Sequence, residues 1–370
     1  MASASPMMEL GFMPGFGRTL ERFEAWWDGE LIDRAPVTLN VAPSRPYDGP
    51  EREHPTLEAR WMDVEYQVDR QIAEMARRSF VGDTIPKLMP NVGPELTSTP
   101  LGAELEFGEA TSWTRPIVHE PEQWDEIATR EPDFDNRYWR AIEAMTAMAQ
   151  DKCRGRYLVA LADLHGNFDV LAGLREPEMI CMDLVDCPDK VDAAAKRAAA
   201  VTVACFERNY AMLCGDNATA AISTTWVPMA HVGPAYVPSC DFWCMLGEEH
   251  ARELVLPRIV EEMAPLERSI FHLDGPQALR HLDLLLGLDD LDAVQWVYGA
   301  GAGPAAKWIE VYQRIRDAGK AMQVLADDGD DALAVLDAVG PKGVWLTIDE
   351  AFASEAEAEA FLGEVARRSA

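Results

Sequence analysis

An imidazole and a carboxylate stand two residues apart in the segment 269–276, which reads SIFHLDGP. The segment predicts a short apolar strand, and residues i and i+2 of a strand share a face, so His272 and Asp274 point to the same side. Gly275 and Pro276 end the strand and leave the pair at its C-terminal tip. Such a pair suits a metal ion, or a general base with an orienting partner. A purely structural hydrogen bond is the alternative.

Eight short apolar or β-branched runs recur along the chain and predict strands. They are Ala35–Val41, Ser79–Asp83, Tyr157–Asp163, Ala220–Trp226, Ser269–Asp274, Ala293–Tyr298, Ala321–Ala326 and Gly343–Ile348. Helical patterns separate the later runs, at Asp189–Leu213, Glu248–Met263, Pro276–Leu286, Ala305–Ala318 and Asp331–Val339. Strands that alternate with helices favour parallel pairing, and eight such units fit a (β/α)8 TIM barrel. We therefore expect an α/β protein with one barrel domain over residues 1–370, an N-terminal helix at 17–32 and a long insertion after strand two.

The chemistry of such barrels lies at the C-terminal ends of the strands. The residues predicted there form a polar set that converges on one rim. In strand order they are Asn40 and Arg45, Asp83, Asp163 and His165, Thr225 and Trp226, His272 and Asp274, Gln295 and Tyr298, Asp327 and Asp328, and Asp349 and Glu350. Carboxylates and imidazoles gathered at one end are costly unless they bind something, which favours a functional site.

The best metal candidate joins His272 and Asp274 to a third donor from strand eight, either Asp349 or Glu350. One imidazole and two carboxylates suit zinc, or a harder divalent ion such as manganese. Three protein ligands leave a coordination position for a substrate, as a Lewis-acid site requires. For His165, a hydrogen bond to substrate and a capping role in the strand-to-helix turn are equally open.

The chain carries a formal net charge of −30, with its acidic residues spread along the sequence. This disfavours nucleic acid and anionic membranes as partners. No apolar run approaches the roughly 20 residues that span a bilayer, and the N-terminus lacks the pattern of an export signal. The seven cysteines are irregularly spaced, which predicts reduced thiols in a cytoplasmic protein. Cys240 and Cys244 have a spacing seen in metal sites, but no second pair completes it, and we interpret them as ordinary buried cysteines.

From about Arg18 to Leu362 the sequence resembles the uroporphyrinogen decarboxylase superfamily. The similar segments are Glu21–Phe23, Asp33–Val37, Val237–Phe242, Glu253–Pro257, His272–Gly275, Gln295–Val297 and Gly340–Gly343. They match the first helix and strand, the substrate-side loop and the helix after it, the strand-five histidine and the last strands. The resemblance also implies a homodimer, because many relatives pair through their open barrel faces.

Uroporphyrinogen decarboxylases, one branch of this superfamily, grip substrate carboxylates with two arginines after strand one. The second is similar to Arg45 here, whereas Val41 stands at the first position. Asp83 resembles the aspartate that contacts the pyrrole nitrogens in that branch. The C-terminal catalytic histidine has no counterpart, since no histidine follows His281.

Cobamide-dependent methyltransferases form the second branch and move methyl groups between a corrinoid protein and a thiol or another acceptor. Their zinc site uses His-x-Cys on strand five and a cysteine near the last strand. This chain has His272-x-Asp274 and Asp349-Glu350 in those places, so oxygens replace the sulfur ligands. Oxygen ligands leave a harder ion, better suited to polarising an ether, hydroxyl or carboxylate oxygen.

The resemblance leads us to expect a metal-dependent methyltransferase with a divalent metal, zinc in the first instance, a small-molecule substrate and a corrinoid protein as partner. The catalytic residues expected are Asp83, His165, His272 and Asp274, and the substrate-binding residues are Asn40, Arg45, Asp163, Trp226 and Tyr298. Two alternatives stay open. One is a cofactor-free decarboxylase that depends on Asp83 and Arg45, and the other is a protein that binds a tetrapyrrole or corrinoid without turnover.

Overall fold

Six parallel strands form the central sheet of the computed structural model, which describes residues 8–215 and 221–370. In spatial order they are β1 (Val37–Val41), β12 (Val344–Phe352), β11 (Ala321–Ala326), β10 (Ala293–Val297), β9 (Arg268–Asp274) and β8 (Ala235–Tyr236). Shorter two-stranded ladders join β2 (Lys87–Leu88) to β5 (Leu158–Val159), β3 (Leu105–Phe107) to β4 (Ser112–Thr114), and β6 (Ile222–Ser223) to β7 (His231–Val232). The β2–β5 ladder is parallel, and the other two are antiparallel.

Helices precede, separate and follow these strands. The α-helices are α1 (Phe16–Trp27), α2 (Leu57–Trp61), α3 (Val64–Ala76), α4 (Trp124–Thr129), α5 (Arg137–Cys153), α6 (Asn167–Leu174), α7 (Pro177–Asp186), α8 (Pro188–Cys214), α9 (Glu248–His250), α10 (Leu256–Met263), α11 (Leu282–Leu286), α12 (Ile309–Asp317), α13 (Gly329–Val339) and α14 (Glu355–Ser369). Short 3₁₀ segments lie at Pro94–Leu101, Pro121–Gln123, Phe242–Met245, Pro276–His281 and Ala305–Trp308, and a π-helical turn at Ala251–Val255 joins α9 to α10. No helix within the two described ranges is both long and apolar enough to cross a membrane.

The α/β class and the parallel sheet are confirmed, and β11 has the predicted bounds. The predicted closed barrel of eight strands is not observed. The described strands instead form a curled half-barrel. The reason lies in the first half of the chain, where β2, β5 and β6 are two residues long and β6 pairs with β7 rather than with β8. A backbone hydrogen bond of 2.9 Å from the Leu161 N–H to the Thr224 carbonyl extends beyond the ladders without making them continuous.

The predicted second strand, Ser79–Asp83, is wrong: these residues form a loop and a turn after α3, and the strand begins later, at Lys87. The predicted fourth strand, Ala220–Trp226, is reduced to β6, and its first residue, Ala220, lies outside the described residues. Apolar composition predicted the approximate position of both strands. Turns in the chain and the neighbouring strands determine which residues form the ladder hydrogen bonds.

Asp83 is fully buried and anchors the N-terminal end of β1. Its carboxylate accepts hydrogen bonds from four donors, which are the Thr19 hydroxyl (2.9 Å), Arg22 Nη1 (3.0 Å), Arg34 Nη1 (2.5 Å) and the Val37 N–H (2.8 Å). Val37 is the first residue of β1, so the structure places Asp83 at the opposite end of that strand from the rim where a catalytic role was expected. The geometry gives this carboxylate a structural role.

Helix α1 closes the same N-terminal end of the sheet. Trp26 donates from its indole N–H to the carbonyls of Met322 (3.2 Å) and Gly343 (3.1 Å), near the first residues of β11 and β12. Phe23 and Trp26 pack edge-on against Trp345, with ring centroids 5.0 and 5.6 Å away. With this end filled by aromatic side chains, the C-terminal strand ends are the face left for a site.

Asp83→Asn is expected to lower the free energy of unfolding by about 3–5 kcal/mol, because it removes the buried anion that pairs with Arg34 and one of the two anions that pair with Arg22. Asp33→Asn is the matched control, since that carboxylate pairs with Arg22 near the surface and should cost about 1 kcal/mol or less. Urea denaturation measures both values. If Asp83→Asn is as stable as Asp33→Asn, the anchoring role is wrong.

Candidate metal centre

Three side chains bring a ligand atom each to the C-terminal end of β9. The group consists of Asp241, His272 and Asp274, whose ligand atoms all lie within 4.8 Å of one another. His272 Nε2 lies 4.0 Å from Asp241 Oδ1, and that oxygen is buried without a hydrogen-bond partner in the described structure. An unpartnered buried oxygen beside an imidazole nitrogen fits a cation between them, and an O, N, O donor set is one that zinc accepts.

A row of hydrogen bonds across four strands fixes the orientation of the His272 ring. The strands pair in register, so that His272, Gln295 and Gln323 are neighbours on β9, β10 and β11. Gln323 Nε2 donates to the Thr347 hydroxyl (2.9 Å), and Gln295 Nε2 donates to Gln323 Oε1 (2.7 Å). Gln295 Oε1 lies 2.5 Å from His272 Nδ1 and accepts its proton. The lone pair of the imidazole therefore lies on Nε2, which faces the carboxylates.

The loop that carries Asp241 is held by a carboxylate of α6. Asp169, which is buried, accepts the N–H of Asp241 (2.9 Å) and of Phe242 (2.8 Å) on its two oxygens. The same loop joins β9, since the His272 N–H donates to the Pro238 carbonyl (3.0 Å). Partial burial and the neighbouring Asp169 raise the pKa of Asp241 to about 6. A cation at this position would relieve the crowding of negative charge.

A second titratable pair, Glu95 and His165, lies beside the metal candidates. His165 Nδ1 is 3.8 Å from Glu95 Oε1, and the His165 N–H donates to the Pro94 carbonyl (3.3 Å). Burial raises the pKa of Glu95 to about 7. Burial opposes protonation of His165, but the carboxylates of Asp163, Asp169 and Glu95 outweigh it and raise the pKa of the imidazole. A carboxyl that titrates near neutral pH beside an imidazole suits proton transfer.

Lys87, at the start of β2, provides a buried positive charge near Asp163. Its ammonium donates to the carbonyls of Thr225 and Trp226. Burial lowers the pKa of Lys87 to about 8, and burial likewise raises the pKa of Asp163, while His165 and His272 oppose the latter shift. The Trp226 ring stands edge-on to His272 with centroids 5.0 Å apart. Lys87 therefore ties β2 to the Thr225–Trp226 segment, whose indole contacts the His272 ring.

The turn that presents His165 is fixed from behind by Glu262. Asn167 begins α6 with a positive φ of 37°, and donates its N–H to Glu262 Oε1 (2.7 Å) and its side-chain amide to Glu262 Oε2 (2.8 Å). The same amide reaches the Ser239 carbonyl (3.0 Å). Burial raises the pKa of Glu262 to about 8. A neutral acid inside the fold thus ties the His165 turn to the loop before Asp241.

The structure brings together His165, Asp163, Trp226, His272 and Asp274 among the residues expected at the site. It places Asn40, Arg45, Asp349 and Glu350 in exposed positions, and neither strand-eight acid belongs to the group of close ligand atoms. Tyr298 contacts other groups: its hydroxyl donates to the Leu325 carbonyl (2.9 Å) and lies 2.8 Å from Asp327 Oδ1. Burial raises the pKa of the Cys240 and Cys244 thiols, which keeps them protonated at neutral pH.

Five polar residues with close contacts to this site were not expected there. They are Lys87, Glu95, Asp169, Asp241 and Glu262. Asp241 stands in a segment that resembles the superfamily's substrate-side loop, and its position there was the available signal. No local pattern marks the other four. Glu95, Asp169 and Glu262 lie inside helices, and Lys87 lies in β2, which begins after the segment Ser79–Asp83 that was predicted as the strand.

No protein-family model matches the chain, and no curated protein matches its sequence. Among solved structures, the chain is similar to a methyltransferase from Methanosarcina mazei, with a TM-score of 0.61. The alignment covers 95% of this chain and 99% of that one, at 11% sequence identity. At this identity the likeness concerns the fold.

Glu262→Gln tests the neutral acid through the pH dependence of stability. The pKa of this carboxyl rises from 4.5 to about 8 on folding, so the folded state keeps a proton that the unfolded state releases between these values. Its contribution is full below pH 4.5 and is lost as pH rises towards 8, by about 1.4 kcal/mol per pH unit. The glutamine cannot ionise, so its unfolding free energy should fall less steeply across this range.

Glu261→Gln is the matched control, because the neighbouring side chain is half exposed and pairs with Arg258. Urea denaturation at several pH values gives the slope for each protein. A Glu262→Gln slope equal to those of the wild type and Glu261→Gln would show that Glu262 titrates normally.

Proposed function

We propose that the protein is a metal-dependent methyltransferase of the uroporphyrinogen decarboxylase superfamily, with zinc held by Asp241, His272 and Asp274. The observation that carries the proposal is the convergence of these three donors on one point, with the imidazole lone pair directed at the carboxylates. The fold shared with a methyltransferase from Methanosarcina mazei supports the reaction class. Asp241 takes the place of the third ligand that was expected from Asp349 or Glu350.

The oxygen-rich donor set favours a methyl donor with an oxygen leaving group. Zinc bound to these side chains would supply Lewis-acid polarisation of an ether oxygen. In the proposed reaction the methyl carbon loses its bond to oxygen, the electron pair stays on the oxygen, and the reduced cobalt of a corrinoid supplies the pair for the new carbon–cobalt bond. The products are an alcohol or phenol and a methylated corrinoid.

The leaving oxygen needs a proton, and this chain holds one nearby. Glu95 and His165 share a partly buried site, and burial raises the pKa of Glu95 to about 7, so this carboxyl can carry a proton near neutral pH. Asp163 and Lys87 keep the surroundings polar, and Trp226 covers one side of His272. We assign proton delivery to the Glu95–His165 pair and positioning of His272 to Gln295.

No observation favours the decarboxylase alternative. Of its two residues, Asp83 is occupied by four donors at the N-terminal end of β1, and Arg45 is exposed in the loop after that strand. The other alternative, a protein that binds a corrinoid or tetrapyrrole without turnover, needs no catalytic group. The experiment below distinguishes it from an enzyme.

His272→Ala should abolish zinc binding, which elemental analysis of the purified protein measures as ions per chain. We expect one ion per wild-type chain, retention in the control Asp349→Asn, and loss in His272→Ala. Methyl transfer from 4-methoxybenzoate to reduced cobalamin, followed by absorption spectroscopy, should fall by about a hundredfold or more, because Lewis-acid stabilisation contributes several kcal/mol.

Any of the following results would contradict this account. Wild-type protein without metal, or equal metal content in wild type and His272→Ala, rules out the centre. Metal loss in Asp349→Asn would show that Asp349, on β12, is a metal ligand after all. Wild-type protein that binds cobalamin and forms no methylated product supports the carrier alternative.

A further inference from the structure

A cavity of about 410 Å³ lies beside the end of β2, between α2, α3 and the β3–β4 hairpin. Its wall includes Met89 and Asn91, which follow β2 directly. Because β2 runs parallel to β5, these residues lie at the strand end that also leads to Asp163 and His165. The cavity therefore opens at the same end of the strands as the candidate metal centre.

Hydrogen bonds fix the walls of this cavity. Gln71 on α3 donates to the Met89 carbonyl and accepts the Met89 N–H, both at 3.0 Å, in the manner of a strand partner. Trp61 donates its indole N–H to the Gly108 carbonyl (2.9 Å) in the hairpin turn. Gln67 donates to the Arg60 carbonyl (2.8 Å). The cavity is thus a preformed space lined by one indole, one phenol and several polar groups.

Two arginines line the cavity, and they differ in what they already bind. Arg60 is neutralised, since it donates to the carboxylate (2.8 Å) and the carbonyl (2.7 Å) of Glu109. Arg70 is exposed, donates a 3.3 Å hydrogen bond to the Gln67 amide oxygen and forms no ion pair with a described residue. In a chain of net charge −30, a guanidinium at a cavity wall without an ion-pair partner is available to bind an anionic ligand.

The lining also restricts the kind of anion. Arg70 provides one positive charge in a planar fork, which matches one carboxylate, whereas a phosphate dianion would keep an uncompensated charge near Glu109. Trp61 and Tyr66 offer flat apolar faces beside it. The adjoining cavity shares Tyr66 and Arg70 but is also lined by Arg52 and by three glutamates, Glu51, Glu53 and Glu74, so its acidic side chains outnumber its basic ones and disfavour an anion.

We infer that this cavity binds an aromatic carboxylate, with Arg70 on the carboxylate and Trp61 and Tyr66 against the ring. Its further assignment as the recognition end of the methyl donor rests on the proposed function. The ligand class follows from the cavity alone, so binding and turnover test the two parts separately.

Calorimetric titration with benzoate tests the cavity, with benzamide as the neutral analogue and phenyl phosphate as the dianion. Wild-type protein should bind benzoate in a saturable, salt-sensitive way and bind both analogues about tenfold or more weakly. Arg70→Gln should weaken benzoate binding by about tenfold to a hundredfold. Arg78→Gln is the matched control, because that half-exposed arginine follows α3 and lies outside the cavity lining. Circular dichroism confirms that both variants fold.

Absence of saturable benzoate binding at millimolar concentrations, or equal binding by wild type and Arg70→Gln, overturns the inference. Tighter binding of phenyl phosphate than of benzoate overturns the carboxylate assignment. Benzoate binding by a wild-type protein that transfers no methyl group contradicts the proposed function and leaves the cavity assignment standing. Methyl transfer from 4-methoxybenzoate by Arg70→Gln with unchanged KM overturns the cavity as the substrate site.

Discussion

The imidazole of His272 is held by hydrogen bonds that cross four parallel strands, and the rest of the site depends on this row. His272, Gln295 and Gln323 are register partners on β9, β10 and β11, and Gln323 reaches Thr347, which lies two residues beyond its own register partner on β12. Buried amides in an apolar sheet are costly unless every group is paired, and here each neighbour satisfies the next. The direction of donation leaves Nε2 as the acceptor of the neutral ring, so the row of amides selects its tautomer.

The carboxylates reach that ring through α6 rather than through the sheet. Asp169 holds the loop of Asp241 by two backbone N–H groups. Asn167, two residues earlier, is fixed by Glu262 and bonds the Ser239 carbonyl in the same loop. One short helix thus couples the metal candidates to His165 at its start. Its burial also perturbs the acids, because carboxylates confined near one another resist ionisation until a cation or an imidazole compensates them.

Local patterns predicted the parts of this arrangement that depend on one segment. Alternation and a glycine–proline stop located His272 and Asp274, and the apolar run Ala321–Ala326 matched β11. Asp241 lies in a loop that is far from His272 in sequence and is held by Asp169, so no local spacing marks it as a metal ligand. The expectation that Asp349 or Glu350 is the third ligand followed from assuming a complete barrel. The position predicted for Asp83 was wrong because a local pattern was misleading. An apolar stretch that ends in an acid suggests the tip of a strand, but ion pairs with Arg22 and Arg34 determine where this side chain lies.

Diffraction from crystals grown with zinc, collected on both sides of the zinc absorption edge, tests the central claim most directly. The account predicts one anomalous peak within about 2.0–2.2 Å of His272 Nε2 and of one oxygen each from Asp241 and Asp274. Absence of a peak between these atoms, or a peak on Asp349 and Glu350 instead, would contradict it.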